Sequence, residues 1–159
     1  MARRTSHVQR AIKQRHPFPS PAQEGVVGML VAADRIQRSV APLLEPHGIT
    51  PQQYNVLRIL RGAGVKGLPT LEIAERMIQQ APGITRLLDR LEAKRLVRRE
   101  RDGEDRRRVW CRISPAGLEL LAVLDQPVDR WDRRALGMLS RKEVNQLVRL
   151  VNTILADGA

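Results

Sequence analysis

The sequence predicts a mainly α chain with a small β-hairpin wing (α+β), a winged helix-turn-helix with N- and C-terminal dimerisation helices. Three patterns predict it. Long amphipathic stretches with a narrow apolar seam lie toward both ends of the chain. Two short helical stretches with a tight connection lie between them, and a run of period-two alternation follows a Gly-containing turn. The segments are a basic, Pro-containing N-terminal arm at 1–22, helical dimerisation segments at 23–48 and 115–157, and a winged helix-turn-helix at 49–114.

The elements follow in order. Pro17, Pro19 and Pro21 block regular structure in the arm, which is either disordered or ordered by a partner. A first helix spans about Glu24 to Glu45. Its Met29, Ala33, Ile36, Val40 and Leu43 form a seam suited to another long helix, Pro42 bends its last turn and Gly48 ends it. Thr50-Pro51-Gln52-Gln53 is a capping box with proline at the first helical position, and it opens a second helix that stops near Gly62. Thr70 starts a third helix, with its hydroxyl as the cap and Ile73, Ala74 and Met77 inward. In the fourth, Ile84, Leu87, Leu88 and Leu91 fall at i, i+3, i+4 and i+7, so Thr85, Arg86, Asp89 and Arg90 point outward.

A hairpin comes next, with strands at Leu96–Arg101 and Arg107–Ile113 around the turn Asp102-Gly103-Glu104-Asp105. Val109, Cys111 and Ile113 alternate with Trp110 and Arg112, which makes Cys111 a buried structural thiol rather than a redox sensor. Ser114-Pro115 opens a fifth helix, whose seam of Leu118, Leu121, Leu124, Val128, Trp131 and Ala135 contains Pro127, a predicted kink or break. Ser140 and Glu143 form a second capping box. The last helix then shows an apolar face of Val144, Leu147, Val148, Val151, Ile154 and Leu155. The terminal helices carry more seam than one winged helix covers. They either close on a second copy, which is the reading preferred here, or on each other in a monomer.

Composition narrows the function. The length of 159 residues suits one domain with a real core. A net charge of +11 favours a polyanionic partner, nucleic acid before membrane. The charge is focused: residues 1–16 hold five basic residues and no acid, and residues 85–112 hold eleven basic and six acidic residues. One cysteine excludes a disulfide framework and a Cys-rich zinc site, and the three histidines stand apart, so no metal or cofactor is expected. Neither a Gly-rich phosphate loop nor a nucleophile–base constellation is present, which argues against an enzyme. No apolar run approaches the ~18 residues of a membrane span. The Arg-bearing start lacks the apolar core of a secretory signal, so the expected setting is the cytoplasm.

Three stretches resemble the MarR (multiple antibiotic resistance regulator) family of bacterial transcription factors. They are Ile49-Thr50-Pro51-Gln52-Gln53-Tyr54-Asn55-Val56-Leu57, Ile84-Thr85-Arg86-Leu87-Leu88-Asp89-Arg90-Leu91-Glu92, and Asp105-Arg106-Arg107 with Ile113-Ser114-Pro115-Ala116-Gly117. The resemblance covers about residues 24–156. It implies a homodimeric, sequence-specific DNA-binding regulator, usually a repressor. Such a regulator binds a pseudo-palindromic double-stranded operator and is often released by a small anionic or phenolic ligand or by oxidation.

On that resemblance the start of the fourth helix enters the major groove, with Gln79, Gln80, Ala81, Pro82 and Gly83 in its first turn. Arg86 matches the family position that reaches a base edge, with a phosphate contact or a solvated side chain as the alternative. Gln80 either pairs with adenine or caps the helix, while Thr85 and Arg90 are phosphate contacts. Arg107 resembles the wing arginine that enters a narrow minor groove, and Asp105 holds a neighbouring arginine to fix the turn. Arg98, Arg99, Arg101, Arg106 and Arg108 are phosphate candidates, each with a solvated side chain as an equal alternative. His47, Arg58 and Trp131 are conceivable lining residues of an effector pocket, each with an ordinary packing or surface role as the alternative. The family usually has glycine where this chain has Arg95. If the backbone there is left-handed, arginine costs about 1 kcal/mol or more, and a different turn in its place would re-aim the wing. A winged-helix module binding RNA or a protein partner through its basic surface is the rival reading.

Overall fold

The computed structural model describes residues 5–79, 83–103 and 108–156. Within the segment read as an arm, His7–Ala11 forms a short helix, α1. Ser6 and Gln9 close a capping box at its start, and a left-handed Lys13 (φ 54°) ends it. Val8 packs where Gly28 leaves room, 3.2 Å from the position a Cβ would take, and Phe18 is buried. The prolines do not prevent order here. Pro21 instead takes the first position of α2 (Pro21–Leu44), behind a Ser20 cap.

A short 3-10 turn at Glu45–His47 ends at a left-handed Gly48 (φ 66°). It leads into α3 (Pro51–Ala63), whose Thr50/Gln53 capping box forms as predicted. Next come β1 (Leu68–Pro69), α4 (Thr70–Glu75), α5 (Ile84–Ala93), β2 (Val97–Arg101) and β3 (Val109–Ile113). The three strands form an antiparallel sheet in the order β1-β3-β2. Arg99 stands opposite Cys111 in the hairpin, and Leu68 stands opposite Cys111 on the other side of β3. β1 escaped the sequence reading because two residues carry no periodicity. It exists through pairing with β3, helped by Gly67 (φ +69°), where a Cβ would lie 2.2 Å from the Cys111 carbonyl oxygen.

Two helical expectations change. Thr70 does not cap α4, because its N-cap is Pro69. The Thr70 hydroxyl lies 3.4 Å from the Val109 carbonyl oxygen and 3.6 Å from Cys111 Sγ, tying α4 to the sheet. Of the kink or break expected at Pro127, the break does not occur, since α6 runs from Pro115 to Ala135. Burial of Leu121, Leu124 and Val128 around it offsets the backbone bond that proline removes. Ser114 caps α6 as predicted, and α7 (Arg141–Ala156) follows the Ser140/Glu143 box.

The core joins α2, α3, α4, α5, the hairpin and α6, with Leu44, Leu57, Leu60, Ile73, Leu88, Leu91, Leu121 and Leu124 at 0% exposure. Cys111 is also fully buried, and burial pushes its thiol pKa up, as befits a structural thiol. By contrast α7 buries no residue. Its Leu147, Val148, Val151, Ile154 and Leu155 remain exposed, as do Val26, Met29, Leu30 and Ile36 on α2.

The end of α5 is a Schellman turn. The Arg95 N–H donates to the Glu92 carbonyl and the Leu96 N–H to the Leu91 carbonyl. Arg95 occupies the left-handed position (φ 60°), so the conditional cost attached to this residue applies. Arg95→Gly should stabilise the fold by about 0.5–1 kcal/mol. Urea unfolding checks this, and an unmoved midpoint would argue against strain at this turn.

Arg61 and Asp125 form a two-armed ion pair between α3 and α6, both contacts at 2.9 Å. The Arg61 guanidinium holds the Asp125 carboxyl below the usual aspartate value. A depressed carboxyl adds stability above its unfolded value, roughly 3.9, and loses that contribution as the pH falls through the folded value. The pair is half exposed, so Asp125→Asn should cost less than about 1 kcal/mol near neutral pH. The difference from wild type should shrink toward zero under strong acid. Paired urea titrations at the two extremes of pH read this directly.

Candidate nucleic-acid interface

α5 is oriented by its apolar stripe. Leu87, Leu88 and Leu91 are buried, so geometry alone turns Thr85, Arg86, Asp89 and Arg90 to solvent. The helix starts later than predicted. Its first residue is Ile84, and Gly83 is the N-cap at φ 103°. Gln79 and Gly83 therefore precede the helix instead of lying in its first turn, because a left-handed residue cannot continue a right-handed helix. Gln80, Ala81 and Pro82 lie outside the described residues.

The turn before α5 is held from two sides. The Ile78 N–H donates to Asn55 Oδ1 on α3 at 3.1 Å. Gln79 Nε2 donates to Gln37 Oε1 on α2 at 2.7 Å. Gln79 thus has a positioning contact with the long N-terminal helix, which the sequence reading did not foresee. Asn55 had one local signal, a polar residue beside Val56 and Leu57, both fully buried on α3.

The wing projects beside α5. The Asp102 N–H donates to the Arg108 carbonyl at 2.9 Å, closing the base of the loop. The Trp110 indole donates to Asp102 Oδ2 at 2.7 Å, and the Lys66 ammonium lies 5.9 Å from the Trp110 ring centroid. Asp102 thus ties the start of the loop to β3 through Trp110. Asp105, Arg106 and Arg107 lie outside the described residues. Arg98, Arg101 and Arg108 are exposed, available for phosphates. Arg99 is not. Its Nη2 lies 2.6 Å from both Asp89 and Glu92, so the expectation of a phosphate contact from Arg99 is corrected. Arg112 is likewise engaged, with Glu100 and the Val65 carbonyl.

Among the described residues, Thr85, Arg86 and Arg90 have no side-chain hydrogen bond or ion pair. An open groove of about 770 Å³ runs between α4, α5 and the hairpin, with Thr70, Leu71, Glu72, Thr85, Arg99 and Arg108 on its walls. His47, Arg58 and Trp131 do not line it. His47 is exposed in the 3-10 turn, Arg58 reaches the Tyr54 hydroxyl at 3.1 Å, and Trp131 donates to Ser39 Oγ at 3.2 Å. Among the described residues no cluster of His, Cys, Asp or Glu is suited to a metal ion, and no helix is long and apolar enough to cross a membrane.

The Asn55 contact generates a prediction. Asn55→Ala removes an acceptor from the turn, and a net loss of about 1 kcal/mol is expected. Amide exchange should speed up at Ile78 while the buried amides of α3 keep their protection. Protection unchanged at Ile78 would show that the turn does not depend on this bond.

The comparison with known proteins follows the same outline. Residues 47–108 match the model of the MarR family. Over 107 residues the chain is 30% identical to the HTH-type transcriptional regulator FarR of Neisseria gonorrhoeae, covering 67% of this chain and 72% of that one. It is 24% identical over 132 residues to the homoprotocatechuate degradative operon repressor of Escherichia coli, covering 83% of this chain and 88% of the other. Among solved structures, a MarR transcription factor from Planctomyces limnophilus shares 39% identity and a TM-score of 0.67, across 86% of this chain and 99% of its own. With sequence identity of that extent laid over the same succession of helices and wing, the chain belongs to the MarR family and is a transcriptional regulator of that type.

Proposed function

We propose that the chain acts as a homodimeric repressor that binds a pseudo-palindromic double-stranded DNA operator and is released by a small anionic or phenolic ligand. The observation that carries the DNA reading is the outward face of α5. There Thr85, Arg86 and Arg90 are exposed beside a hairpin that carries exposed Arg101 and Arg108. A helix of this size fits the major groove, and a guanidinium at Arg86 suits the O6 and N7 of guanine. The hairpin then lies toward the neighbouring minor groove, where arginine is favoured by A·T-rich sequence. Gln80, Ala81, Asp105, Arg106 and Arg107 keep their proposed contacts on the family resemblance alone.

The homodimer is supported by the exposed apolar faces of α2 and α7, on which Leu30 and Leu155 are each 66% exposed. Faces of that kind on long helices are stabilised by a second copy, and a two-fold protein suits a two-fold operator. Repression is supported by the name of the Escherichia coli relative. Ligand release, with His47, Arg58 and Trp131 as candidate pocket residues, rests on the family resemblance.

The test is duplex binding against scrambled DNA and against RNA of the same length, with sedimentation to follow the oligomer. Specific duplex binding by a dimer is expected, with log K falling steeply as log salt rises. Arg86→Ala should cost about 1–3 kcal/mol on the cognate site and relax preference at one base pair. Arg107→Ala should weaken A·T-flanked sites most. Equal loss on every sequence would remove the base-reading role of Arg86, and lone subunits at micromolar concentration would remove the dimer.

A further inference from the structure

The two acids on α5 raise a physical question. Asp89 is half exposed on the helix proposed to meet DNA, and Glu92 is close behind it. Unpaired carboxylates there repel phosphate. Both instead meet one residue of the hairpin. Arg99 Nη2 lies 2.6 Å from Asp89 Oδ1 and 2.6 Å from Glu92 Oε2. Arg99 Nε donates to the same Glu92 oxygen at 2.8 Å, and the Arg99 backbone N–H donates to Glu92 Oε1 at 3.1 Å. Glu92 thus accepts from both the main chain and the side chain of one residue. That residue sits at the middle of β2, one of the two edge strands of the sheet. An edge strand has outward N–H groups without a ladder partner, and Glu92 occupies one of them.

We infer that Arg99, Glu92 and Asp89 form a positioning clamp that sets the angle of the wing relative to α5, so that helix and hairpin reach adjacent grooves of one duplex together. Arg99 contributes by holding the hairpin, not by touching phosphate. The guanidinium suits this task because its planar fork engages two carboxylates at once, which an ammonium cannot reproduce. The inference rests on the DNA reading above and adds to it the residues that align its two contacts.

Glu92→Gln tests it, because Coulomb attraction and positioning then predict different results. The substitution is nearly isosteric and removes one negative charge near the duplex. Charge alone predicts tighter binding on all sequences and an unchanged ratio of affinities for A·T-flanked over G·C-flanked operators. The clamp predicts that this ratio falls, by about three- to tenfold, whatever the overall affinity does. Arg99→Lys keeps the charge and loses the fork, so it should lower the ratio as well. Amide exchange at Arg99, measured without DNA, should accelerate in Glu92→Ala. A selective wild type whose flank ratio is the same in Glu92→Gln and Arg99→Lys overturns the clamp alone. A wild-type chain that selects no duplex overturns the DNA reading and the clamp with it, even if the Arg99 amide responds as expected.

Discussion

The structure depends on one shared apolar core. α4 has six residues and α5 has ten, lengths at which an isolated helix is marginal in water. Neither is self-sufficient, and each persists by inserting leucine or isoleucine into a centre supplied by longer helices. Ile73, Leu88 and Leu91 share one buried cluster with Leu57 and Leu60 of α3 and Leu121 and Leu124 of α6, all without solvent exposure. Burial of a single such side chain is worth about 1.5–3 kcal/mol, so several together outweigh the ordering cost of the short helices. The same burial decides function. Once the leucine stripe of α5 turns inward, the arginine face has one direction left.

Polar contacts then set the orientations that apolar packing leaves loose. Hydrophobic burial has no direction, whereas hydrogen bonds at about 2.7–3.2 Å do. Asn55 and Gln37 hold the turn ahead of α5. Ser114 caps α6 and also donates to the Arg95 carbonyl at 2.6 Å, linking the end of the α5 turn to the start of α6. Gly117 permits that approach, since a Cβ there would stand 2.4 Å from the Leu96 carbonyl oxygen. Arg99 completes the set by joining hairpin to helix. Its carboxylate neighbours, Glu92 first and then Asp89, raise its pKa above the ordinary arginine value.

Charge is therefore divided between two uses. The sequence concentrates arginines in and around the hairpin, and by composition they look alike. In three dimensions Arg99 and Arg112 are paired with acids, while Arg98, Arg101 and Arg108 stand exposed. Paired arginines fix geometry, and exposed ones add to the positive field around the hairpin. The apolar faces of α2 and α7 stay exposed in the single chain.

The sequence by itself determined the class of fold and most element positions. Capping boxes at Thr50 and Ser140, the Ser114-Pro115 start and the i, i+3, i+4, i+7 stripe of α5 are local signals, each readable within one or two turns of chain. The inward place of Cys111 followed from alternation in the same way. Tertiary structure decided what has no local signal. β1 exists because β3 lies beside it, and Thr70 bonds across the sheet instead of capping because Val109 and Cys111 are within reach. α6 passes through Pro127 with Leu124 and Val128 buried on either side, and α1 packs on α2 where Gly28 leaves room for Val8. Arg99 was legible as a basic residue but not as a paired one, since its partners on α5 are seven and ten positions earlier and only a folded hairpin brings them together. Local propensity is written in neighbouring residues; the choice among equivalent side chains is made by contacts that distance along the chain conceals.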